Sequence, residues 1–307
     1  MKSKLLLIAL LFSLSGAGQY SAFPPDETNP IYPVASFTIP PTNVAKTLTA
    51  FTGINIAFYE YIPANPKGVI IQFHGNGECG DGTVATLTKL DNIAISGQIN
   101  KGTFTQPFIV LSPQLKTAYC TEWRLWYVWE MVWYAQKFGL PIYLTGYSLG
   151  GGAVWTALND SATCSMISGA VPVCGTSTFT TAKWVNQYKV PVWAYHGEKD
   201  ATIGVGNTYA FTSVITGAKK TIYKGLGHGI WDIVYNQIRQ DYVTTNEWNQ
   251  VGSTKNDPTP YEWFASLPAA TVPPVIVPPP PTRTIVARLF VNGWEIIVYS
   301  DKTTEIK

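Results

Sequence analysis

A serine lies at the centre of a G-x-S-x-G motif, and the residues around this motif constrain the fold more than any other part of the chain. Residues 143–152 read Y-L-T-G-Y-S-L-G-G-G, so an apolar run precedes Ser148 and a stretch that can be helical follows it. A strand, a sharp turn and a helix form the setting in which a serine hydroxyl is exposed as a nucleophile. Side chains at Gly146 or Gly150 would collide with the neighbouring strand or helix. Ser148 is therefore the candidate nucleophile.

The chain contains three histidines, and a serine nucleophile of this kind needs one of them as its general base. His74 precedes the serine in a glycine-rich segment, which predicts a loop that lends backbone N–H groups to an oxyanion hole. His196 is four residues before Asp200, and it is predicted to shape the turn that presents this acid. His228 remains, in a glycine-rich segment after an apolar run, and is the candidate base.

Five segments together resemble the α/β-hydrolase superfamily. They are H-G-N-G-E-C-G at 74–80, Y-L-T-G-Y-S-L-G-G-G at 143–152, V-P-V-W-A-Y-H-G-E-K-D at 190–200, G-H-G-I-W-D at 227–232 and Y-E-W-F at 261–264. Within the superfamily, the chain is most similar to the secreted carboxylesterase and prolyl-oligopeptidase-like branch, which includes dienelactone-hydrolase-like proteins. The resemblance covers residues 50–267 and implies an α/β fold, with a mostly parallel central sheet and helices on both faces.

The resemblance also implies a role for each matching residue. Ser148 would be the nucleophile, Asp200 the acid and His228 the base, in the chain order expected for this fold. The backbone N–H groups of Asn76 and Leu149 would form the oxyanion hole, and Glu78 would brace the loop that carries Asn76. The candidates for the wall of the substrate pocket are His74, Tyr147 and Trp231.

The N-terminus reads as a secretory signal peptide. Lys2 and Lys4 precede an apolar run at 5–14, and Ser15-Gly16-Ala17 offers small residues for cleavage after Ala17. This run of about 10 apolar residues is shorter than the ~20 that span a bilayer, so no membrane anchor is expected. Removal of residues 1–17 leaves equal numbers of basic and acidic residues, which does not favour nucleic acid as a partner. We expect a secreted or periplasmic protein.

The four cysteines are an even number in a chain that is expected to be exported, so disulfides are permitted. We predict Cys79–Cys120, since both are expected just beyond the ends of neighbouring strands, and Cys164–Cys174, which would close a small loop. The alternative is four small buried thiols. The cysteines do not have the spacing of metal ligands, and the predicted chemistry requires neither a metal nor an organic cofactor.

Continuous apolar runs predict strands that are covered on both faces of a parallel sheet. They lie at 69–73, 108–111, 141–145, 168–173 and 190–195. Crossover helices are predicted at 121–138 and 150–159, and an antiparallel pair of strands at 51–62. In the first of these helices, Trp123, Tyr127 and Met131 recur at helical spacing, which predicts a face packed on the sheet.

The chain is predicted to consist of four parts: the signal peptide at 1–17, a catalytic domain at 18–267, a linker at 268–282 and a β-hairpin at 283–307. The linker is rich in proline. Asn292-Gly293 lies between two runs of β-branched and aromatic residues, which indicates the hairpin. With 46% hydrophobic and 13% charged residues, the chain can bury a large core.

These observations predict a secreted serine hydrolase that cleaves carboxylic esters through an acyl-enzyme, with feruloyl or acetyl esters of the plant cell wall as substrates. The expected partner is therefore a small-molecule or polysaccharide-linked ester. Two alternatives stay open. One is a peptidase of the prolyl-oligopeptidase type, and the other is a non-catalytic protein that binds polysaccharide on the same fold. The sequence does not indicate the oligomeric state.

Overall fold

The computed structural model describes residues 42–179, 181–236 and 258–268, together with the backbone of five short strands elsewhere. The signal peptide predicted at 1–17 and the proline run at 273–281 lie outside these residues. Among the helices in the described ranges, none has both the length and the apolar character needed to cross a bilayer.

Eight strands form the central sheet. They are β1 (Val44–Thr49), β2 (Asn55–Tyr61), β3 (Val69–Phe73), β4 (Ile109–Pro113), β5 (Ile142–Tyr147), β6 (Gly169–Val173), β7 (Trp193–Gly197) and β8 (Lys219–Tyr223). Their order across the sheet is β1-β2-β4-β3-β5-β6-β7-β8. The pairs β1–β2 and β2–β4 are antiparallel, and every other neighbouring pair is parallel. The sheet is therefore mostly parallel.

The helices fill the connections between the strands. Within the described residues, the α-helices are α1 (Ala94–Asn100), α2 (Leu125–Ala135), α3 (Leu149–Leu158), α4 (Ser161–Cys164), α5 (Lys183–Tyr188), α6 (Gly206–Ser213), α7 (Trp231–Tyr235) and α8 (Pro260–Ser266). Short 3₁₀ helices span Asn76–Glu78, Val84–Leu90, Thr117–Tyr119 and Gln136–Phe138. Local signals explain some of the ends: the Thr259 side chain caps the N-terminus of α8 and the Glu262 side chain bonds back to it.

Both faces of the sheet are covered, which explains why its strands read as continuous apolar runs. In β3, Val69 and Ile71 contribute to the core cluster that contains the buried side chains of α2 and α3. Ile70, between them, contributes to a second cluster, with side chains of α1, α7 and α8. Alternate residues of one strand therefore belong to two separate cores.

Three elements differ from the sequence predictions by three residues or more, and the other predicted strands by two residues at most. Only β2 of the antiparallel pair lies within 51–62, because the partner strand is β1 and the turn is formed by 51–53. The last predicted parallel strand, 190–195, instead forms β7 at Trp193–Gly197. The helix predicted from Thr121 begins at Leu125, since Arg124 has an extended backbone. Trp123 is nevertheless buried on the predicted face.

The C-terminal segment contains the predicted strand pair. β11 (Ile285–Val291) and β12 (Trp294–Tyr299) are antiparallel, with Val291 opposite Trp294. The turn residues Asn292 and Gly293 lie outside the described residues. β13 (Thr304–Ile306) adds a third strand that the sequence analysis did not predict. A further short pair is formed by β9 (Val243–Thr245) and β10 (Val251–Ser253).

The close approach of α3 to the end of β3 requires a glycine. A Cβ atom at Gly150 would lie 2.1 Å from the carbonyl oxygen of Phe73 and 2.6 Å from that of His74. Both contacts are with backbone atoms, which cannot rotate out of the way. The helix can reach the strand end only because position 150 has no side chain.

Replacing Gly150 with alanine should therefore lower the free energy of unfolding by about 3 kcal/mol, because the sheet or the helix must shift to admit the methyl group. Urea denaturation of the purified variant measures this loss. Gly206→Ala is the matched control, since a Cβ atom there would meet no heavy atom within 4 Å. Equal stability of the two variants would contradict the close approach.

Candidate active site

Ser148 occupies a sharp turn between β5 and α3. Its backbone has φ 54° and ψ −120°, a left-handed conformation that is strained for a residue with a side chain. The turn is held by the hydrogen bond from the Ser148 N–H to the carbonyl of Val173, at 2.9 Å. On the other side, a Cβ atom at Gly146 would lie 2.4 Å from the carbonyl oxygen of Gly150. The turn thus has the geometry that the motif predicts for an exposed nucleophile.

The structure brings Ser148, His228 and Asp200 into one hydrogen-bonded row. His228 Nε2 lies 2.8 Å from Ser148 Oγ, and His228 Nδ1 lies 2.7 Å from Asp200 Oδ2. Because the carboxylate can only accept, the proton on the ring is assigned to Nδ1, which donates to Asp200. Nε2 then has a free lone pair that accepts from the serine hydroxyl. This is the arrangement needed for proton transfer from the hydroxyl to the ring.

Asp200 is buried, and each of its oxygens has hydrogen-bond donors. Oδ1 accepts from the N–H groups of Thr202 at 2.8 Å and Ile203 at 2.9 Å. Burial by itself raises the pKa of this carboxyl, but the hydrogen bonds from His228 and from the two amides outweigh burial and lower the pKa below its usual value. Asp200 therefore remains an anion and can accept the hydrogen bond from His228 Nδ1.

The loop after β3 carries Asn76, one of the two predicted oxyanion residues, beside the turn at Ser148. Asn76 begins the 3₁₀ helix Asn76–Glu78, and its side chain donates to the carbonyl of Cys120 at 3.1 Å. Leu149 is the first residue of α3, and the first N–H groups of a helix have no acceptor within that helix. The two segments pack closely, since a Cβ atom at Gly75 would lie 3.0 Å from Tyr147 Cε2.

His74 is buried beneath the loop that carries Asn76 and does not line a pocket. Its prediction as a pocket residue is therefore wrong. The ring is fully buried, and Nε2 accepts from the Leu115 N–H at 2.8 Å. The carbonyl of His74 accepts from Trp123 Nε1 at 3.2 Å. Burial lowers the pKa of His74 to about 4, so the ring is neutral. Its role is to hold the loop, as its position before the glycines predicts.

The other two predicted pocket residues form a stack beside the base. The rings of Tyr147 and Trp231 have centroids 5.0 Å apart and an interplanar angle of 30°. Trp231 also meets the His228 ring edge-on, at 5.4 Å, and is partly exposed. Tyr147 is only 1% exposed, so it packs against Trp231 and does not itself line an open pocket. Glu78 lies against Tyr147, and burial raises the pKa of its carboxyl.

One disulfide ties the oxyanion loop to the segment after β4. Cys79 is joined to Cys120, as predicted. The predicted bond between Cys164 and Cys174 is wrong, since both are free and buried. The reason is tertiary: Cys164 packs in the core on one face of the sheet, and Cys174 packs in the core on the other. Burial raises the pKa of Cys164 to about 12, so this thiol is inert.

Cys174, His196 and Asp200 form a buried group whose potential ligand atoms all lie within 4.8 Å of one another. Hydrogen bonds account for this arrangement. His196 Nε2 donates to the Ile203 carbonyl and lies 3.1 Å from Asp200 Oδ2, and Asp200 accepts hydrogen bonds from two backbone N–H groups and from His228 Nδ1. A metal ion there would have to displace these donors, so we assign the group to the support of Asp200.

Sequence reasoning identified the three central residues and connected His196 with the acid, but it missed the other groups that hold Asp200. Thr202 and Ile203 donate through their backbone, which leaves no mark on residue type. Thr208, which bonds to His196 at 2.8 Å, lies on α6 and has no motif of its own. In the sequence, the signal for the groups that hold the acid was the four-residue spacing of His196 and Asp200 within one segment.

The strand order, the sharp turn at Ser148 and the row of serine, histidine and aspartate define the α/β-hydrolase fold. No protein-family model matches the chain, and no curated protein matches it in sequence.

Several solved structures are similar to the chain. A thermostable esterase is 19% identical, over 73% of this chain and 63% of its own length, with a TM-score of 0.49. Est1E from Butyrivibrio proteoclasticus, which has also been solved with ferulic acid bound, is 17% identical over 63% of this chain and 95% of its own, with a TM-score of 0.46. A putative dipeptidyl aminopeptidase IV from Bacteroides ovatus is 15% identical over 65% and 35%, with a TM-score of 0.46. The chain thus spans less than two thirds of the first and third of these proteins.

The free thiols and the disulfide predict a simple alkylation pattern. The denatured chain should react with iodoacetamide at Cys164 and Cys174 alone, and at all four cysteines after reduction. The double variant Cys79→Ala, Cys120→Ala should lose about 4 kcal/mol of unfolding free energy, because the bond closes a long loop. Mass spectrometry measures the alkylation, and urea denaturation measures the unfolding free energy. Dithiothreitol should not lower the unfolding free energy of the double variant any further. Four reactive cysteines before reduction would contradict the pairing.

Proposed function

We propose that the chain is a serine hydrolase that cleaves carboxylic esters through an acyl-enzyme intermediate. The observation that carries this proposal is the hydrogen-bonded row of Ser148, His228 and Asp200, with a strained turn presenting the serine. Three separate segments contribute these groups, and each side chain meets the next at hydrogen-bond distance. Such a row activates a hydroxyl that is otherwise a weak nucleophile.

In the first half of the proposed reaction, Ser148 Oγ forms a bond to the ester carbonyl carbon while His228 Nε2 takes the hydroxyl proton. The carbonyl oxygen becomes an oxyanion, which the N–H groups of Asn76 and Leu149 stabilise by about 3 kcal/mol each. Asp200 holds the ring with its proton on Nδ1 and stabilises the imidazolium. The proton on Nε2 then passes to the alcohol oxygen as the bond from carbon to that oxygen breaks.

In the second half, water replaces the alcohol. His228 takes a proton from the water as its oxygen attacks the acyl carbon, and a second oxyanion forms in the same hole. When this intermediate collapses, the proton returns to Ser148 Oγ and the carboxylic acid leaves. At the end of the reaction, Ser148 and His228 have returned to their starting protonation states.

For the acyl group, we propose an aromatic acid such as a feruloyl group, carried on a polysaccharide or a small alcohol. The support is Trp231, a partly exposed indole that contacts the ring of the base and rests on Tyr147. A flat aromatic group near Ser148 could stack on this indole, which adds to the apolar area that is buried. The leader-like residues 1–17 support an exported enzyme that meets such esters outside the cytoplasm.

The nucleophile is tested by Ser148→Ala. Hydrolysis of p-nitrophenyl acetate should fall by about 10⁴-fold or more, because the attacking atom is lost. Labelling by a fluorophosphonate probe should disappear, while circular dichroism stays unchanged. Ser213→Ala is the control, since this exposed hydroxyl donates to the carbonyl of Ala210 in its own helix. A panel of aminoacyl amides beside the esters distinguishes an esterase from a peptidase. If the Ser148 variant retained activity, the proposal would be wrong.

The acyl preference is tested by Trp231→Ala. The KM for methyl ferulate should rise about 10-fold, which is the value of one aromatic contact, while kinetics with an acetyl ester change little. Trp133→Ala is the matched control, because this indole is 40% exposed and stacks on Trp129 instead of the site. An equal effect on both esters would exclude stacking at Trp231.

A further inference from the structure

His196, the second histidine of the chain, lies four residues before Asp200 and approaches the acid directly. His196 is completely buried in β7, and Nε2 lies 3.1 Å from Asp200 Oδ2, the same oxygen that accepts from His228. Nε2 also donates to the carbonyl of Ile203 at 2.8 Å. These two contacts, one with the acid and one with the backbone, place His196 next to the row.

The proton position on this ring follows from its neighbours. Nε2 faces two acceptors, the carbonyl oxygen of Ile203 and the carboxylate of Asp200, so it must carry a proton. Nδ1 lies 2.8 Å from Thr208 Oγ1, whose hydroxyl can donate to it. Burial lowers the pKa of His196 below its ordinary value, although the Ile203 carbonyl and Asp200 act in the opposite direction. A neutral ring with its proton on Nε2 satisfies every one of these contacts.

We infer that His196, oriented by Thr208, is a positioning residue that sets the orientation of Asp200 for catalysis. His196 acts on both carboxylate oxygens of Asp200. Its N–H faces Oδ2 directly, and by holding the Ile203 carbonyl it places the Ile203 N–H that donates to Oδ1. The hydrogen-bonded row from Ser148 through His228 to Asp200 therefore continues, across the 3.1 Å contact between Asp200 and His196, to Thr208 on α6.

The orientation of this carboxylate matters because a small displacement would lengthen its bond to His228. An acid that can rotate no longer selects the ring tautomer with the proton on Nδ1, and the base is then present in the wrong form. Cys174 is the other titratable side chain in this group, and burial raises the pKa of its thiol, so it offers no charge in compensation. The ring of His196 thus restrains Asp200 in addition to the base itself.

This inference rests on the proposed function, and kinetics test it first. His196→Leu removes the N–H and should lower kcat for p-nitrophenyl acetate about 10- to 100-fold, with KM within about threefold, since only the acid is displaced. His196→Gln, whose amide N–H can reach the position of Nε2, should recover most of the lost kcat. Equal kcat in the two variants would overturn the inference.

Thr208 and Thr212 offer a matched pair on α6. Thr208→Val removes the hydroxyl that meets His196, whereas Thr212→Val removes a hydroxyl that donates to a backbone carbonyl of its own helix. Both residues are buried, and the change in shape is the same. Thr208→Val should lower kcat several-fold and Thr212→Val should not. The inference fails if both variants have the wild-type kcat or share the same loss.

Nuclear magnetic resonance tests the geometry without activity. The chain has three histidines, so the imidazole nitrogens of an untagged, ¹⁵N-histidine-labelled sample are readily assigned. His74 and His228 should carry their proton on Nδ1, and His196 alone should carry it on Nε2. A proton on Nδ1 of His196 would overturn the inference. Absence of hydrolysis and of fluorophosphonate labelling in the wild type, with these three tautomers present, would instead refute the proposed function alone.

Discussion

The contact between the start of α3 and the end of β3 is the constraint on which the site depends. Gly150 meets the carbonyl of Phe73, and Gly146 meets the carbonyl of Gly150, at distances that leave no room for a methyl group. This packing keeps Ser148 in a strained left-handed conformation at the carboxyl end of β5. It also brings the loop after His74 against the same turn. These two steric contacts therefore position both the candidate nucleophile and the candidate oxyanion hole.

A buried carboxylate is the second constraint, because a charge removed from water must find compensation in the protein. Asp200 finds it in two backbone N–H groups and two histidine rings. The donors come from its own loop, from β7 and from the loop that carries His228. The charge that orients the base thus also joins these three segments, so the requirements of folding and of the proposed chemistry coincide.

The sequence predicts those features that leave a local pattern. β3 was predicted at its observed bounds, because a strand buried on both faces must be apolar at every position. β1 was missed for the converse reason: it lies at the edge of the sheet, its residues are partly or fully exposed, and it contains no apolar run. The start of α2 was placed too early, since Trp123 fits the helical stripe but is held in a loop by its bond to the His74 carbonyl.

The sequence by itself determined the identity and chain order of the candidate nucleophile, acid and base, because the strained turn and the glycine loops tolerate few residue types. Only the tertiary structure decided which groups surround them. Cys164 and Cys174 are ten positions apart, yet the sheet separates them. His196 and Thr208 meet because α6 packs beside β7. Local backbone strain restricts residue types and can be read along the chain, whereas contacts across a sheet depend on how the whole chain closes.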